Sequence, residues 1–467
     1  MAVVSTYPNY QSLRSRWVPR VPEHWSLLRA KNFLREIDDR SKTGEETLLS
    51  MRMQRGLVPH NDVSVKRIAP ENLIGYKKAQ PDELVLNRMQ AGNAMFFRNR
   101  QPGLVSPDYA VFRLLRNDNP EYLGHLFRSW PMRGLFRSES KGLGTGTSGF
   151  LRLYSDRFAA LEIPLPPRPE QDQIVAYLRA QDAHIARFIK AKRDLIKLLT
   201  EQKLRIIDHA VTRGLDASVA FKPSGIEWLG EMPEHWKALK LKFATKRIVG
   251  GSTPKSDEAS YWDGGIVWVT PRDISKTDSL HTSLRTISAA GLQSCASTLV
   301  PPGSIVITSR APVGNVAIAR VELCTNQGCK AVVPAPDIAI SDFLFLLLLR
   351  MKERLQVLAN GTTFAEIGTW VLANEFIPVP PVSEQQAICR WITEECQPLD
   401  DAIARTEDEI KLIREYRDRL ITDVVTGQVD VRGWQPGPDD VVDDALLSAL
   451  GDEHEDVTEE EVGDGED

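Results

Sequence analysis

The sequence predicts an α+β protein with a pseudo-two-fold internal repeat, in which two globular modules are separated by two long antiparallel coiled-coil helices. Three observations predict it. Residues 163–216 and 377–430 align without a gap at an offset of 214 (377 − 163), so the chain has two similar halves. Both aligned stretches carry apolar residues at heptad spacing over five heptads. The segments before them mix short β-branched runs with turn residues and one helical patch each, the pattern of an α+β module.

Each element follows from local signals. The first module, residues 1–162, opens on Val21-Pro22-Glu23-His24-Trp25 and holds a strand candidate, Glu83 to Asn87, and a helical patch, Glu121 to Phe136. The first long helix occupies 163–216. Ile163-Pro164-Leu165-Pro166-Pro167 and Glu170-Gln171 lead into it, Pro169 suits its first position, and Gly214 suits a left-handed end. The second module, 217–376, repeats the opening as Met232-Pro233-Glu234-His235-Trp236, with strand candidates Ile266 to Thr270 and Ser304 to Thr308 and a helical patch Ser341 to Leu358. Arg88 with Gly92-Asn93 in the first module matches Arg310 with Gly314-Asn315 in the second. The second long helix, 377–431, begins Ile377-Pro378-Val379-Pro380-Pro381 with Glu384-Gln385. Ser383 to Gln386 reads as an S-x-x-Q capping box, and Gly427 closes it. Residues 432–467 read as an acidic, disordered tail.

Helix direction follows from the polar heptad positions. Asp182 and Lys203 fall at a in the first helix, and Arg417 falls at a in the second. An antiparallel pair brings Asp182 to Arg417, whereas a parallel pair sets Lys203 against Arg417. Attraction favours the antiparallel arrangement, with Asp182 and Arg417 as its structural pair, in a spacer roughly 50 Å long at about 1.5 Å per residue.

Composition narrows the class. A length of 467 residues with 42% hydrophobic content suits a soluble multidomain protein. No leader opens the chain and Phe343 to Leu349 is too short to span a bilayer, so a cytoplasmic location and no membrane partner are expected. Five cysteines without a C-x-x-C pair give neither a disulfide framework nor a zinc site, and no metal is expected. The net charge is −5, yet the stretch after Arg432 holds fourteen Asp/Glu and no Lys or Arg, so the rest of the chain carries +9. A basic body with an acidic tail fits a polyanion binder, and equally a mildly basic protein with a solubilising tail.

The doubled I-P-[LV]-P-P-x-x-E-Q motif resembles the specificity (S) subunit of type I restriction-modification systems. The resemblance is strengthened by Gly225-Ile226-Glu227-Trp228-Leu229-Gly230, Trp268-Val269-Thr270-Pro271-Arg272-Asp273, Ser309 to Asn315 and Asn326-Gln327-Gly328. It implies two target recognition domains, each reading one part of a bipartite, asymmetric site on double-stranded DNA. It also implies a helical spacer that docks two methyltransferase (modification) subunits and the motor-nuclease (restriction) subunits. On this resemblance the chain is a non-catalytic recognition subunit that binds no cofactor. S-adenosylmethionine, ATP and Mg²⁺ are used by the partners. The first module departs from the pattern, with Arg88-Met89-Gln90-Ala91-Gly92-Asn93 where the second has Arg-Ala-Pro-Val-Gly-Asn, so the two targets should differ.

Base reading needs Arg or Lys toward guanine and Asn or Gln toward adenine. Candidates in the first module are Arg52, Gln54, Arg55, Arg88, Gln90 and Asn93, with Lys77 and Lys78 toward phosphate. In the second they are Arg272, Arg310 and Asn315, with Lys255 toward phosphate. Catalytic motifs are weaker. Gly144 to Gly149 spells G-x-G-x-x-G without a βαβ context, and Pro107-Asp108 with Glu139-Ser140-Lys141 mimics a nuclease signature that the second module lacks. His24 and His235 read as packing or turn residues. The alternatives are the specificity subunit of a related restriction or methylation-only system, a standalone nuclease, or a coiled-coil scaffold without DNA.

Overall fold

Both proline-rich motifs form a short strand followed by a long helix. Glu162–Leu165 pairs antiparallel with Ser26–Arg29, and Phe376–Val379 with Lys237–Lys240. The helices run Arg168–Arg213 and Val382–Val425. The computed structural model describes residues 5–53, 55–143, 150–275, 277–359 and 366–442. The chain divides into two units: Met1–Asp194 with Glu407–Asp467, and Leu195–Thr406. Each unit therefore holds one module and part of both long helices.

The sheets of the two units have the same order. In unit 1 the strands run Leu34–Ile37, Ala110–Leu114, Leu84–Leu86, Phe96–Arg98, with every neighbouring pair antiparallel. In unit 2 the order is Thr245–Gly250, Cys329–Pro334, Ile305–Thr308, Val316–Ala319, again antiparallel, and Ser279–Leu280 adds a fifth, parallel strand. All residues of Leu84–Leu86 and Ile305–Thr308 are buried, as strands packed on both faces require. The helical patches each break in two. Pro131 lacks the N–H to continue Pro120–Arg128, so a second helix starts at Trp130, while Ser341–Arg350 and Lys352–Leu358 divide at Met351.

The repeated motifs find each other within each unit. In unit 1, His24 Nε2 lies 2.6 Å from Glu170 Oε2, and Trp25 Nε1 (2.9 Å) and the Tyr7 hydroxyl (2.6 Å) donate to Glu170 Oε1. In unit 2, His235 Nε2 is 2.8 Å from Glu384 Oε2 and Trp236 Nε1 donates to Glu384 Oε1 at 3.1 Å. The adjacent glutamines are fully buried. Gln171 accepts from Asn119 N–H (2.7 Å) and Gln385 from Ile340 N–H (2.9 Å), so each ties the start of a module helix to a long helix. The Ser383 capping box does not form, because the helix already begins at Val382 and Pro381 carbonyl accepts from the Glu384 and Gln385 amides.

Gly427 (φ +73°) and Gly214 (φ +74°) end the helices in the left-handed region. An added Cβ at Gly427 would lie 2.3 Å from Pro22 Cδ, so the second helix closes onto the Pro-Glu-His-Trp turn of unit 1.

Within unit 1 the long helices run antiparallel. Arg417 Nε and Nη2 donate to the two Asp182 oxygens at 2.6 and 2.8 Å, and Lys192 meets Glu409 at 2.5 Å. Within unit 2, Lys203 donates to Asp400 at 2.6 Å. Every a and d position of the predicted register is buried or half-buried.

One expectation fails at the tail. Residues 433–442 are not loose: the Trp434 ring packs edge-on against Tyr177 at 5.5 Å, and Asp440 Oδ1 lies 2.6 Å from His184 Nε2. Apolar and charged anchors on the helix hold this stretch, which composition alone could not reveal. Residues 443–467 lie outside the described residues.

Candidate nucleic-acid interface

In unit 2 four chain segments converge beyond the sheet: the turn after Thr245–Gly250, the one after Trp262–Val269, the one after Ile305–Thr308 and the one before Cys329–Pro334. Backbone hydrogen bonds lock them together. Ser252 N–H donates to Thr325 carbonyl (3.1 Å), Asn326 N–H to Val269 carbonyl (2.9 Å) and Ser309 N–H to Gly328 carbonyl (2.8 Å). Gly251 is required here, since an added Cβ would meet Thr325 O at 1.9 Å.

This cluster holds the sequence candidates of the second module. Arg272 is exposed on the short helix Pro271–Ile274, whose Thr270–Asp273 capping box fixes the turn, and it has no ion pair among the described residues. Lys255 is likewise exposed, and its carbonyl accepts from Trp262 Nε1 at 3.1 Å. Arg310 Nε donates to Glu366 at 3.0 Å, so DNA would have to compete with that carboxylate. The Asn315 amide donates to Thr308 Oγ1 (2.9 Å), which sets the turn carrying its half-buried side chain. Sequence reasoning missed Arg285, whose guanidinium stacks 3.7 Å from the Trp262 ring centroid. A lone arginine outside the repeated motifs gives no signal in the sequence.

Unit 1 uses the same loops with other residues. Leu48 forms a parallel bridge with Leu104, and Trp268 pairs in parallel with Cys324. Arg52 and Arg272 each lie four residues past these pairs. Arg52 is half-buried and pairs with Gly56 at the end of the 49–59 hairpin, and Arg55 is exposed in its turn. Gln54 lies outside the described residues. Arg88 donates to Glu36 and to Ser155 Oγ (2.8 Å) and starts the 3-10 turn Arg88–Asn93, which presents half-buried Gln90 and exposed Asn93. Arg137 Nη2 reaches Asn93 Oδ1 at 3.3 Å and Arg133 reaches Gly92 carbonyl at 3.4 Å. These two arginines were also missed, although their spacing of one helical turn marks a common face.

The lysines divide. Lys77 is only 3% exposed, donates to Tyr109 carbonyl at 2.8 Å and lies 3.7 Å from Glu36. Its place inside the module corrects the phosphate role, because an ammonium so held cannot reach solvent-side phosphate without losing these partners. Lys78 is half-exposed and pairs with Glu46 at 3.0 Å. Hydrogen bonds from Ser41 and Lys78 pull that carboxyl down to about 2.

The carboxylates of the nuclease-like signature each face an arginine. Asp108 faces Arg152 (3.5 Å) and Glu139 faces Arg157 (3.9 Å), while Gly144 to Gly149 lies outside the described residues. Among the described residues no group of three or more His, Cys, Asp or Glu could hold a metal, and no helix is long and apolar enough to cross a membrane. Burial pushes the thiols of Cys324, Cys329 and Cys389 up to about 12, against a thiolate nucleophile.

Two modules with one sheet order, each presenting Arg, Lys, Asn or Gln side chains on its loops, define a two-module α+β protein. The family model "Type I restriction modification DNA specificity domain" matches residues 77–198 and 233–412. The chain belongs to that family, the specificity subunits of type I restriction-modification systems. It is 37% identical over 164 residues, 34% of this chain and 38% of the relative, to the type I restriction enzyme MjaIX specificity subunit of Methanocaldococcus jannaschii. It is 23% identical to the putative MjaX specificity subunit of the same organism, over 92% of this chain and 100% of that one. A solved chain from work on complex assembly and conformational transition of the type I R-M system shares the fold, with a TM-score of 0.55 and 19% identity over 87% of this chain and 98% of that one.

Proposed function

We propose that this subunit addresses a type I complex to a bipartite, asymmetric DNA site, each module reading one part. The observation that carries this reading is that one loop cluster recurs on the same sheet in both units but carries different side chains. The shared scaffold supplies the same mode of approach, and the different residues supply two different half-sites. Arg and Lys at the rim bind phosphate and set register, while Arg272, Arg310, Asn315, Arg52, Gln90 and Asn93 are the candidates for base edges.

The long helices serve as an antiparallel coiled-coil spacer between the two readers and as the docking surface for two methyltransferase subunits and the motor-nuclease subunits. Half-sites read from one face of B-DNA must lie about 34 Å apart or a multiple of it, which a rigid spacer enforces. Chemistry belongs to the partners, with S-adenosylmethionine on the methyltransferase and ATP with Mg²⁺ on the motor. This chain adds none and stays in the cytoplasm with them.

The test is co-purification with the methyltransferase, followed by methylome sequencing and duplex binding. A bipartite adenine motif is expected. Arg272→Ala and Arg310→Ala should each weaken cognate binding by about 1–3 kcal/mol and relax one half-site only. Relaxation of both halves, unchanged affinity, or methylation or nicking by the chain alone would overturn the reading.

A further inference from the structure

The two units differ most sharply at a surface remote from the loop cluster. The strand pairs Glu162↔Arg29 and Phe376↔Lys240 occupy equivalent places, as do the short helices Ser155–Ala160 and Thr369–Asn374. Unit 1 presents Asn32, Asp156 and Glu162 there, all exposed. Unit 2 presents Phe243, Trp370 and Phe376 at the same positions, with 57%, 77% and 41% of each exposed. These are large apolar side chains, and leaving them in water is unfavourable.

The three aromatics form one patch. Lys240 Nζ lies 5.5 Å from the Phe376 ring centroid and Lys242 Nζ 5.2 Å from that of Phe243. Lys242 also donates to Asn374 Oδ1 (3.0 Å), and Asn374 Nδ2 donates to the Trp370 carbonyl (2.9 Å). Neither lysine has a carboxylate partner among the described residues, and the neighbouring acid, Glu375, is buried and taken by Arg354 at 2.8 Å. The patch is therefore apolar with uncompensated positive charge.

Its position argues against DNA as the occupant. The patch adjoins the start of the strand Thr245–Gly250, whereas the loop cluster lies beyond its end, about 20 Å away at roughly 3.3 Å per residue. It also adjoins Phe376–Val379, the strand that leads into the second long helix. We infer that Trp370, Phe243, Phe376, Lys240 and Lys242 form a docking site for one acidic segment with an apolar anchor on a partner protein, engaged once per chain because unit 1 presents Asp156 and Glu162 instead.

The test places a photo-crosslinking benzoylphenylalanine at 370 or, as control, at 156 in the chain purified with its modification and restriction subunits. A single acidic partner segment cross-linked from 370 and not from 156 is expected. A synthetic peptide of that segment should bind the full chain and lose at least ten-fold in affinity on Trp370→Asp, Phe243→Asn and Phe376→Glu together. These substitutions copy unit 1, and an unchanged melting curve shows that the fold is kept. Cross-links to DNA or to a second copy of this chain, equal labelling from 156, no labelling at all, or peptide affinity indifferent to the triple change would each overturn the inference. Complex assembly itself is read separately by co-purification, so the addressing role can stand while this site falls.

Discussion

Unit 1 and unit 2 share a sheet order and a glutamate clasp, but they fill the same framework with opposite chemistry. Heptad layers pair residues whose numbers sum to 599, and this places Asp182 with Arg417 in unit 1 and Cys396 with Lys203 in unit 2. Unit 1 closes this layer with an ion pair, while in unit 2 Lys203 pairs with Asp400, four residues further along the second helix and more exposed. Glu170 gathers Tyr7, His24 and Trp25, whereas among the described residues Glu384 gathers His235 and Trp236, since Ser218 stands where unit 1 has Tyr7. His125 of unit 1 corresponds to Leu346 of unit 2, by the shared anchoring of Asn119 and Ile340 on Gln171 and Gln385. A duplicated scaffold thus tolerates divergence of its polar contacts provided each is satisfied locally, and unit 1 should be the half more sensitive to loss of one partner.

The largest asymmetry is expected at the clasp. Glu170→Ala strands the buried Tyr7 hydroxyl and Trp25 indole N–H, at about 1–3 kcal/mol for each unsatisfied group, so unit 1 should lose about 3–4 kcal/mol. Glu384→Ala strands one buried indole and should cost unit 2 about 1–2 kcal/mol. Hydrogen exchange followed peptide by peptide separates the units, and equal losses would erase the distinction.

The helix layers come next. Arg417→Ala leaves Asp182, whose side chain is 14% exposed, without its partner. Breaking a fully buried pair costs about 3–5 kcal/mol, so about 2–3 kcal/mol is expected for this one. Lys203→Ala breaks a pair at 30% and 45% exposure and should cost under about 1 kcal/mol. If charge reversal, Asp182→Arg with Arg417→Asp, recovers none of the loss in urea unfolding, then packing rather than charge holds the unit 1 layer.

How much of this was legible beforehand depends on the range of the interaction. The long helices and their glycine ends follow from local periodicity and backbone conformation, and the sequence placed Asp182 opposite Arg417 because a register propagates along a helix. The Glu170–His24 contact spans 146 residues, and no local rule links a Pro-Glu-His-Trp turn to an E-Q pair. Lys77 was misplaced for a similar reason. Its inward side is decided by pairing with Gly103–Val105, and a charged residue in a three-residue strand looks like surface until its partners are known. Arg272 and Arg310 stand out in the sequence because they sit in motifs that carry the family resemblance, while Arg133 and Arg137 do not, because nothing in a helical patch singles out its outer face.

The smallest of the three unit 1 effects tests whether its half-buried His125 carries a pH cost that unit 2 lacks. Burial pushes His125 down to about 4 from 6.5, and Arg417 and Arg128 add to this against the opposing pull of Asp182 and Glu121. The folded state therefore holds a neutral imidazole, while the unfolded chain takes up a proton as pH falls below 6.5. Unit 1 is fully stabilised above that value and loses at most about 1.4 kcal/mol per pH unit below it, levelling off once the folded group also protonates near 4. The depressed carboxyls Glu121 and Asp430 add their own loss only below their ordinary values of 4.5 and 3.8, so the interval from 6.5 to 5 isolates the histidine among the shifted groups. Over that interval unit 1 should lose about 1–2 kcal/mol in urea unfolding or exchange-derived stability, and unit 2 much less. His125→Leu, which copies Leu346, should flatten the unit 1 slope. A variant that keeps the full slope would show that His125 does not carry the acid sensitivity of unit 1.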